Sequence, residues 1–121
     1  MHVTGIGGLF FRARDPDVLQ AWYREHLGVG AHPPESWVWE QQAGPTVFAP
    51  FKADTDYFPA DRAWMLNLRV QDLDGLLAKL RAAGIEVVTK AEWDSPETGR
   101  FARIHDPEGL PIELWEPPAD A

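Results

Sequence analysis

Residues 100–116, Arg100-Phe101-Ala102-Arg103-Ile104-His105-Asp106-Pro107-Glu108-Gly109-Leu110-Pro111-Ile112-Glu113-Leu114-Trp115-Glu116, decide the fold. Arg100 to His105 reads as a strand, and Asp106-Pro107-Glu108-Gly109 as a tight turn. Pro111 to Glu116 then returns as the last strand. Strand side chains alternate between faces, so Ile112 and Leu114 share one side of that strand while Glu113 and Trp115 share the other. Phe101, Arg103 and His105 share a parity in the preceding strand. A hairpin with one apolar and one mixed face needs helices on the first and something other than bulk core on the second.

Upstream, Trp64 to Val70 reads as a strand and Asp72 to Ala83 as an amphipathic helix closed by Gly84. Glu86 to Thr89 reads as a short strand, and Lys90 to Gly99 as a loop that is a candidate lid, its Trp93 reading equally as an aromatic at a dimer contact. The same order occurs earlier. Gly5 to Arg14 is a strand pattern, and Asp15-Pro16-Asp17 supplies an acidic N-cap with Pro at the first helical position. The helix begun there carries Val18, Leu19, Ala21, Trp22, Tyr23 and Leu27, and Gly28 is its stop. Short strands are expected at Val29 to His32, Trp37 to Gln41 and Thr46 to Phe51, with Gln42-Ala43-Gly44-Pro45 turning between the last two. Laying Arg12 on Arg69, 57 residues on, also lays Asp15 on Asp72, Asp17 on Asp74, Leu19 on Leu76, Ala21 on Ala78 and Arg24 on Arg81. This pattern predicts a duplicated module within a single domain spanning 1–121, the copies covering about 3–52 and 63–117 and joined by a polar linker, 53–62. The expected class is α+β: two βαβββ modules whose strands form one curved mixed sheet around a concave cup, helices on the outside.

Composition narrows the function. The chain has 121 residues, 45% hydrophobic, with six Trp and six Phe, too apolar for a disordered segment. With no Cys there is no disulfide framework, thiolate nucleophile or zinc ribbon. Nineteen acids against eleven bases give a net charge of −8, which repels phosphate backbones, so neither nucleic acid nor an anionic membrane is expected as partner. No targeting segment or long apolar run is visible, and the expected location is cytoplasmic. Gly5, Gly7 and Gly8 lead a strand with no Lys-Ser/Thr behind them, so they are not a phosphate loop. Ser36 and Ser95, the only serines, lie in turns and argue against a serine hydrolase.

The expected apolar face comprises Leu9, Phe11 and Ala13; Leu66, Leu68 and Val70; and Ile112 and Leu114. The opposite face reads Gly8, Phe10 and Arg12; Met65, Asn67 and Arg69; Glu113 and Trp115. Aromatic, amide, guanidinium and carboxylate groups together make a plausible cup lining. The expected ligand-binding residues are therefore Phe10, Arg12, Trp37, Trp39, Asn67, Arg69, Phe101, Arg103 and Trp115, with Trp37 and Trp39 reading equally as a flat-ligand platform or as core. Glu113 has two readings: a candidate catalytic carboxylate that binds a substrate donor or acts as base, or a structural carboxylate satisfied by Arg12 or Arg69. His105, ending its strand at the turn, is a weaker catalytic candidate.

The two strand–helix–strand repeats, the Asp106-Pro107-Glu108-Gly109 turn and the Pro111-Ile112-Glu113-Leu114-Trp115 strand resemble the vicinal oxygen chelate superfamily, over roughly Val3 to Pro117. Glyoxalase I, the extradiol dioxygenases, and the fosfomycin and bleomycin resistance proteins belong to it. The resemblance implies the paired βαβββ cup and a homodimer. In the metal enzymes it implies four inward ligands, whose positions fall here on Gly8, Val47, Met65 and Glu113. Only Glu113 can bind a hard or borderline cation. The expectation is a glyoxalase/bleomycin-resistance-like protein that binds a small organic molecule in its cup without the usual metal site. The alternative is a metal-assisted lyase or isomerase of the glyoxalase type with Glu113 as base or ligand. No cofactor is expected, and a divalent metal stays open.

Overall fold

A computed structural model describes residues 1–30 and 38–119. Two helices lie on one side of a three-stranded open mixed sheet. In chain order the elements are α1 (Pro16–Leu27), β1 (Leu66–Arg69), α2 (Leu73–Ala82), a 3-10 turn (Ala91–Trp93), β2 (Arg100–His105) and β3 (Pro111–Glu116). The strand order is β1-β3-β2, with β1 parallel and β2 antiparallel to the central β3.

Both helices form where local chemistry directs them. The Asp15 carboxylate accepts from Val18 N at 3.2 Å, Pro16 opens the helix, and Gly28 closes it in the left-handed region at φ 66°. Asp72 caps α2 by accepting from Gly75 N at 3.1 Å, and a Cβ on Gly75 would collide with that carboxylate. Leu19 and Tyr23 from α1 and Leu73, Leu77 and Leu80 from α2 are buried against Ala102, Ile104, Ile112 and Leu114 of the sheet. Leu66, Leu68 and Val70 pack on the same core, as the strand parity requires.

The turn between β2 and β3 is held from within. Asp106 is 5% exposed, and its carboxylate accepts from Glu108 N at 2.8 Å, Leu110 N at 3.0 Å and the Tyr23 hydroxyl at 2.7 Å. Gly109 takes the left-handed conformation at φ 84° that ends the turn. Burial, then the Asp106 carboxylate, pushes the Tyr23 phenol far above its ordinary pKa. Glu108 reaches outward from the same turn and accepts from Arg14 N at 2.6 Å and Asp15 N at 3.0 Å, tying the entry of α1 to the hairpin.

The expected hairpin and both helices are present, but among the described residues of 1–51 no strand forms. No strand runs through Gly5 to Arg14 or Thr46 to Phe51. Residues 31–36 of the stretch Val29 to His32 and beyond, together with Trp37, lie outside the described residues. Gly5, Gly7 and Gly8 contribute no side chain to a pleated surface, and Pro45 has no N–H for a ladder. In the second half, β1 is shorter than Trp64 to Val70, and Glu86 to Thr89 contributes only the bridge from Val88 to Arg103. The sheet among the described residues is therefore open and drawn from 66–116. Among them, no helix is long and apolar enough to cross a membrane.

Candidate functional site

The face of the sheet turned away from the helices carries the chemistry. Register places Asn67 beside Glu113 and Glu113 beside Arg103, one residue from each strand in a single row. The next row is Arg69, Trp115 and Phe101. The Phe101 and Trp115 rings stack at 6.4 Å with planes 9° apart, and Trp115 Nε1 is anchored on Thr98 O at 2.7 Å.

Glu113 is 8% exposed, so its carboxylate must be paired. Asn67 Nδ2 donates to Oε1 at 2.7 Å and the Tyr57 hydroxyl donates to Oε2. Neither Arg12 nor Arg69 is the partner expected from the sequence. Arg69 turns its guanidinium onto the carbonyls of Pro45 and Gln42, where the absence of a side chain on Gly44 leaves room for it.

Arg103, opposite Glu113 in register, engages Tyr57 rather than the carboxylate. Its Nη2 donates to Tyr57 O at 2.9 Å, and its guanidinium carbon lies 5.0 Å from the Tyr57 ring centroid and 5.8 Å from that of Trp93. Its Nε is buried and has no hydrogen-bond partner. The Tyr57 ring also meets the edge of Trp93 at 6.2 Å and Phe51 at 5.7 Å. Desolvation, then the hydrogen bond to Glu113, pushes the Tyr57 phenol up to about 12. Beside this cluster, residues 55–60 with Arg103 and His105 line a hollow of about 460 Å³.

Six of the sequence-derived site residues, Asn67, Arg69, Phe101, Arg103, Glu113 and Trp115, thus share one face, the Arg69 guanidinium turned off it to the chain at 42–45, with exposed His105 at its rim. Phe10 and Arg12 do not join them: both are exposed, Phe10 at 88%. Trp39 is 38% exposed, and Trp37 lies outside the described residues. Tyr57 was missed because 53–62 reads as a polar linker. Its one signal was the aromatic pair Tyr57-Phe58 set among acids, alanines and prolines.

The metal-ligand positions implied by the family carry glycine, valine, methionine and glutamate. Val47 is exposed, and Glu113 spends both oxygens on Asn67 and Tyr57. That donor set does not fit a hard divalent ion. Among the described residues, no three His, Asp or Glu side chains gather into a cluster able to hold one.

Residues 8–115 match the model of the glyoxalase-like domain, and the chain belongs to that family. Among solved structures it is similar to TnmS3, an antibiotic binding protein from Streptomyces sp. CB03234, at 26% identity over 97% of this chain and 98% of that one, TM-score 0.56. It is also similar to a glyoxalase/bleomycin resistance protein from the same strain, at 27% identity over 86% and 93% of the two chains, TM-score 0.48. No curated protein sequence matches.

Proposed function

We propose that this protein binds a small, flat organic molecule on the polar face of its sheet and works without a resident metal. The observation that carries this reading is the row Asn67–Glu113–Arg103 beside the stacked Phe101 and Trp115. Ring surfaces supply area, and a few convergent polar groups fix orientation, the usual make-up of a ligand site. The unpaired, buried Arg103 Nε supports it further, because an acceptor on a ligand would satisfy that N–H. Similarity to an antibiotic binding protein over nearly the full length of both chains points the same way.

In this reading the modules 3–52 and 63–117 close into the two-sided cup, with 53–62 crossing between them. Phe10, Arg12, Trp37 and Trp39 then form the wall facing Glu113, and the apolar side chains now exposed along the first half become covered. A homodimer is part of the same proposal, since covering those side chains is favoured whether the cup closes within one chain or between two. The protein acts in the cytoplasm.

The test is a metal analysis of untagged protein prepared without chelators, melted with and without EDTA, followed by thermal-shift screening of aromatic antibiotics. Substoichiometric metal, an unchanged melt and stabilisation by an aromatic ligand are expected. Stoichiometric metal with a melting temperature that falls on chelation would overturn the metal-free reading in favour of a glyoxalase-type lyase with Glu113 as ligand.

A further inference from the structure

Tyr57 sits on the candidate site in the manner of a bound molecule. Its hydroxyl donates to the Glu113 carboxylate, its ring lies under the Arg103 guanidinium, and Trp93 and Phe51 pack against the ring. The segment that brings it there is held mainly by itself: Thr55 N bonds Lys52 O at 3.0 Å and Tyr57 N bonds Thr55 Oγ1 at 3.2 Å. Among the described residues, the hydrogen bonds from 53–61 to the sheet all pass through Tyr57, by its hydroxyl and by its carbonyl on Arg103.

We propose that the polar face is a hydroxyaryl-binding site, and that Tyr57 of the same chain occupies it as a surrogate ligand which a hydroxylated aromatic molecule displaces. This inference rests on the small-molecule reading above and names the ligand class for the same site. Removing Tyr57 leaves a buried carboxylate with one of its two donors gone, so an incoming molecule must bring a donor. It must also offer a flat π-face to Arg103. An aliphatic alcohol meets the first need only and an aryl ether the second only. An aryl carboxylate would set a second anion against Glu113. A neutral phenol meets both needs.

Competition with a tethered occupant lowers apparent affinity by the fraction of molecules with the site open. Calorimetric titration with β-naphthol and with its methyl ether, on wild type and Tyr57→Ala, therefore tests the idea. Tyr57→Ala should bind β-naphthol about tenfold more tightly than wild type. It should also prefer the naphthol to the ether by about tenfold or more, a preference that Glu113→Gln in the same background removes. Tyr57→Phe keeps the ring and loses the donor, so it should fall between wild type and Tyr57→Ala, and it decides the matter if the alanine variant fails to fold. Equal or weaker naphthol binding by the folded variants would overturn the surrogate role. If naphthol and ether still bind equally well to every protein, small-molecule binding stands and the hydroxyaryl assignment falls. Absence of any aromatic binding to any folded variant would sink both.

Discussion

The helices of the two halves are built alike, but the segments C-terminal to them differ. Asp15 and Asp72 cap α1 and α2 through the same carboxylate-to-backbone bond, and both helices lay leucines on one sheet. Yet 66–116 supplies every strand of that sheet, while 1–14 and 38–51 supply none. Large apolar side chains left in solvent are concentrated in 1–51, among them Ile6, Phe10, Val47 and Phe48. A helix completes its hydrogen bonds within its own segment, so a cap and an apolar stripe suffice to set it locally. A strand depends on a partner and on the turn that delivers the partner in register. Asp106 provides such a turn between β2 and β3. The matching turn, Gln42 to Pro45, has no carboxylate to gather its N–H groups.

The largest expected effect breaks the comparison directly. Ile104→Ala removes a side chain with no exposed surface from the core of the second half and should cost about 3 kcal/mol in urea unfolding. Phe48→Ser changes a residue that is 88% exposed; it should stay within about 0.5 kcal/mol if that surface remains open, and cost a comparable amount if the proposed cup covers it. A comparable loss for Phe48→Ser would mean that the first half packs into a second sheet in solution.

The turns form the next pair. Asp106→Ala leaves the Tyr23 hydroxyl and two backbone N–H groups without their acceptor and should cost about 2–3 kcal/mol. Gly44→Ala places a Cβ 2.8 Å from the Arg69 guanidinium, the far end of a flexible side chain, and should cost less than about 1 kcal/mol. If the two substitutions proved equally damaging in urea, the difference between the turns would not explain the difference between the halves.

Glu108 connects the halves and makes their union sensitive to acid. Donation from Arg14 N, then from Asp15 N, holds its carboxyl below the usual carboxylate range. A lowered folded pKa means that this contribution is present above the ordinary carboxyl pKa and disappears as pH falls through the lowered value. Glu108→Gln should therefore lower the melting temperature at neutral pH and flatten the acid side of the melting-temperature profile. An acid limb unchanged from wild type would show that the clamp contributes nothing to stability.

Sequence carried the second half further than the first for the same physical reason. The limits of β2 and β3 and the burial of Ile112 and Leu114 follow from alternation bounded by a turn with a self-capping aspartate. Both helices follow from an aspartate at one end and a glycine past the other, with Pro16 opening α1 as well. Asn67, Arg103 and Glu113 are brought into one row by register, which parity narrows to a face but does not align. Tyr57 was illegible because its place depends on where a linker lies in space, and linker composition carries no period to read. The reach of Arg69 to Gln42 and Pro45 was hidden likewise, since the guanidinium leaves its own strand for a backbone distant in sequence.

The two tyrosines extend the comparison to the smallest expected effect. Tyr23 belongs to α1 and is buried against Asp106, whereas Tyr57 belongs to the linker and lies partly open on Glu113. Burial first, and then the carboxylate that each phenol's hydroxyl bonds, pushes both above the ordinary tyrosine value. A raised folded pKa means that the stabilisation is fully present below the unfolded value near 10 and is lost as pH climbs through about 12 for Tyr57. Phenolate absorbance in wild type should accordingly rise first near 12 and then at still higher pH, and Tyr57→Phe should delete the first rise alone. A first rise near the ordinary value in wild type, lost in Tyr57→Phe, would place the Tyr57 hydroxyl away from Glu113 in solution. The carboxylate would then already be open to a ligand, and the linker would not guard it.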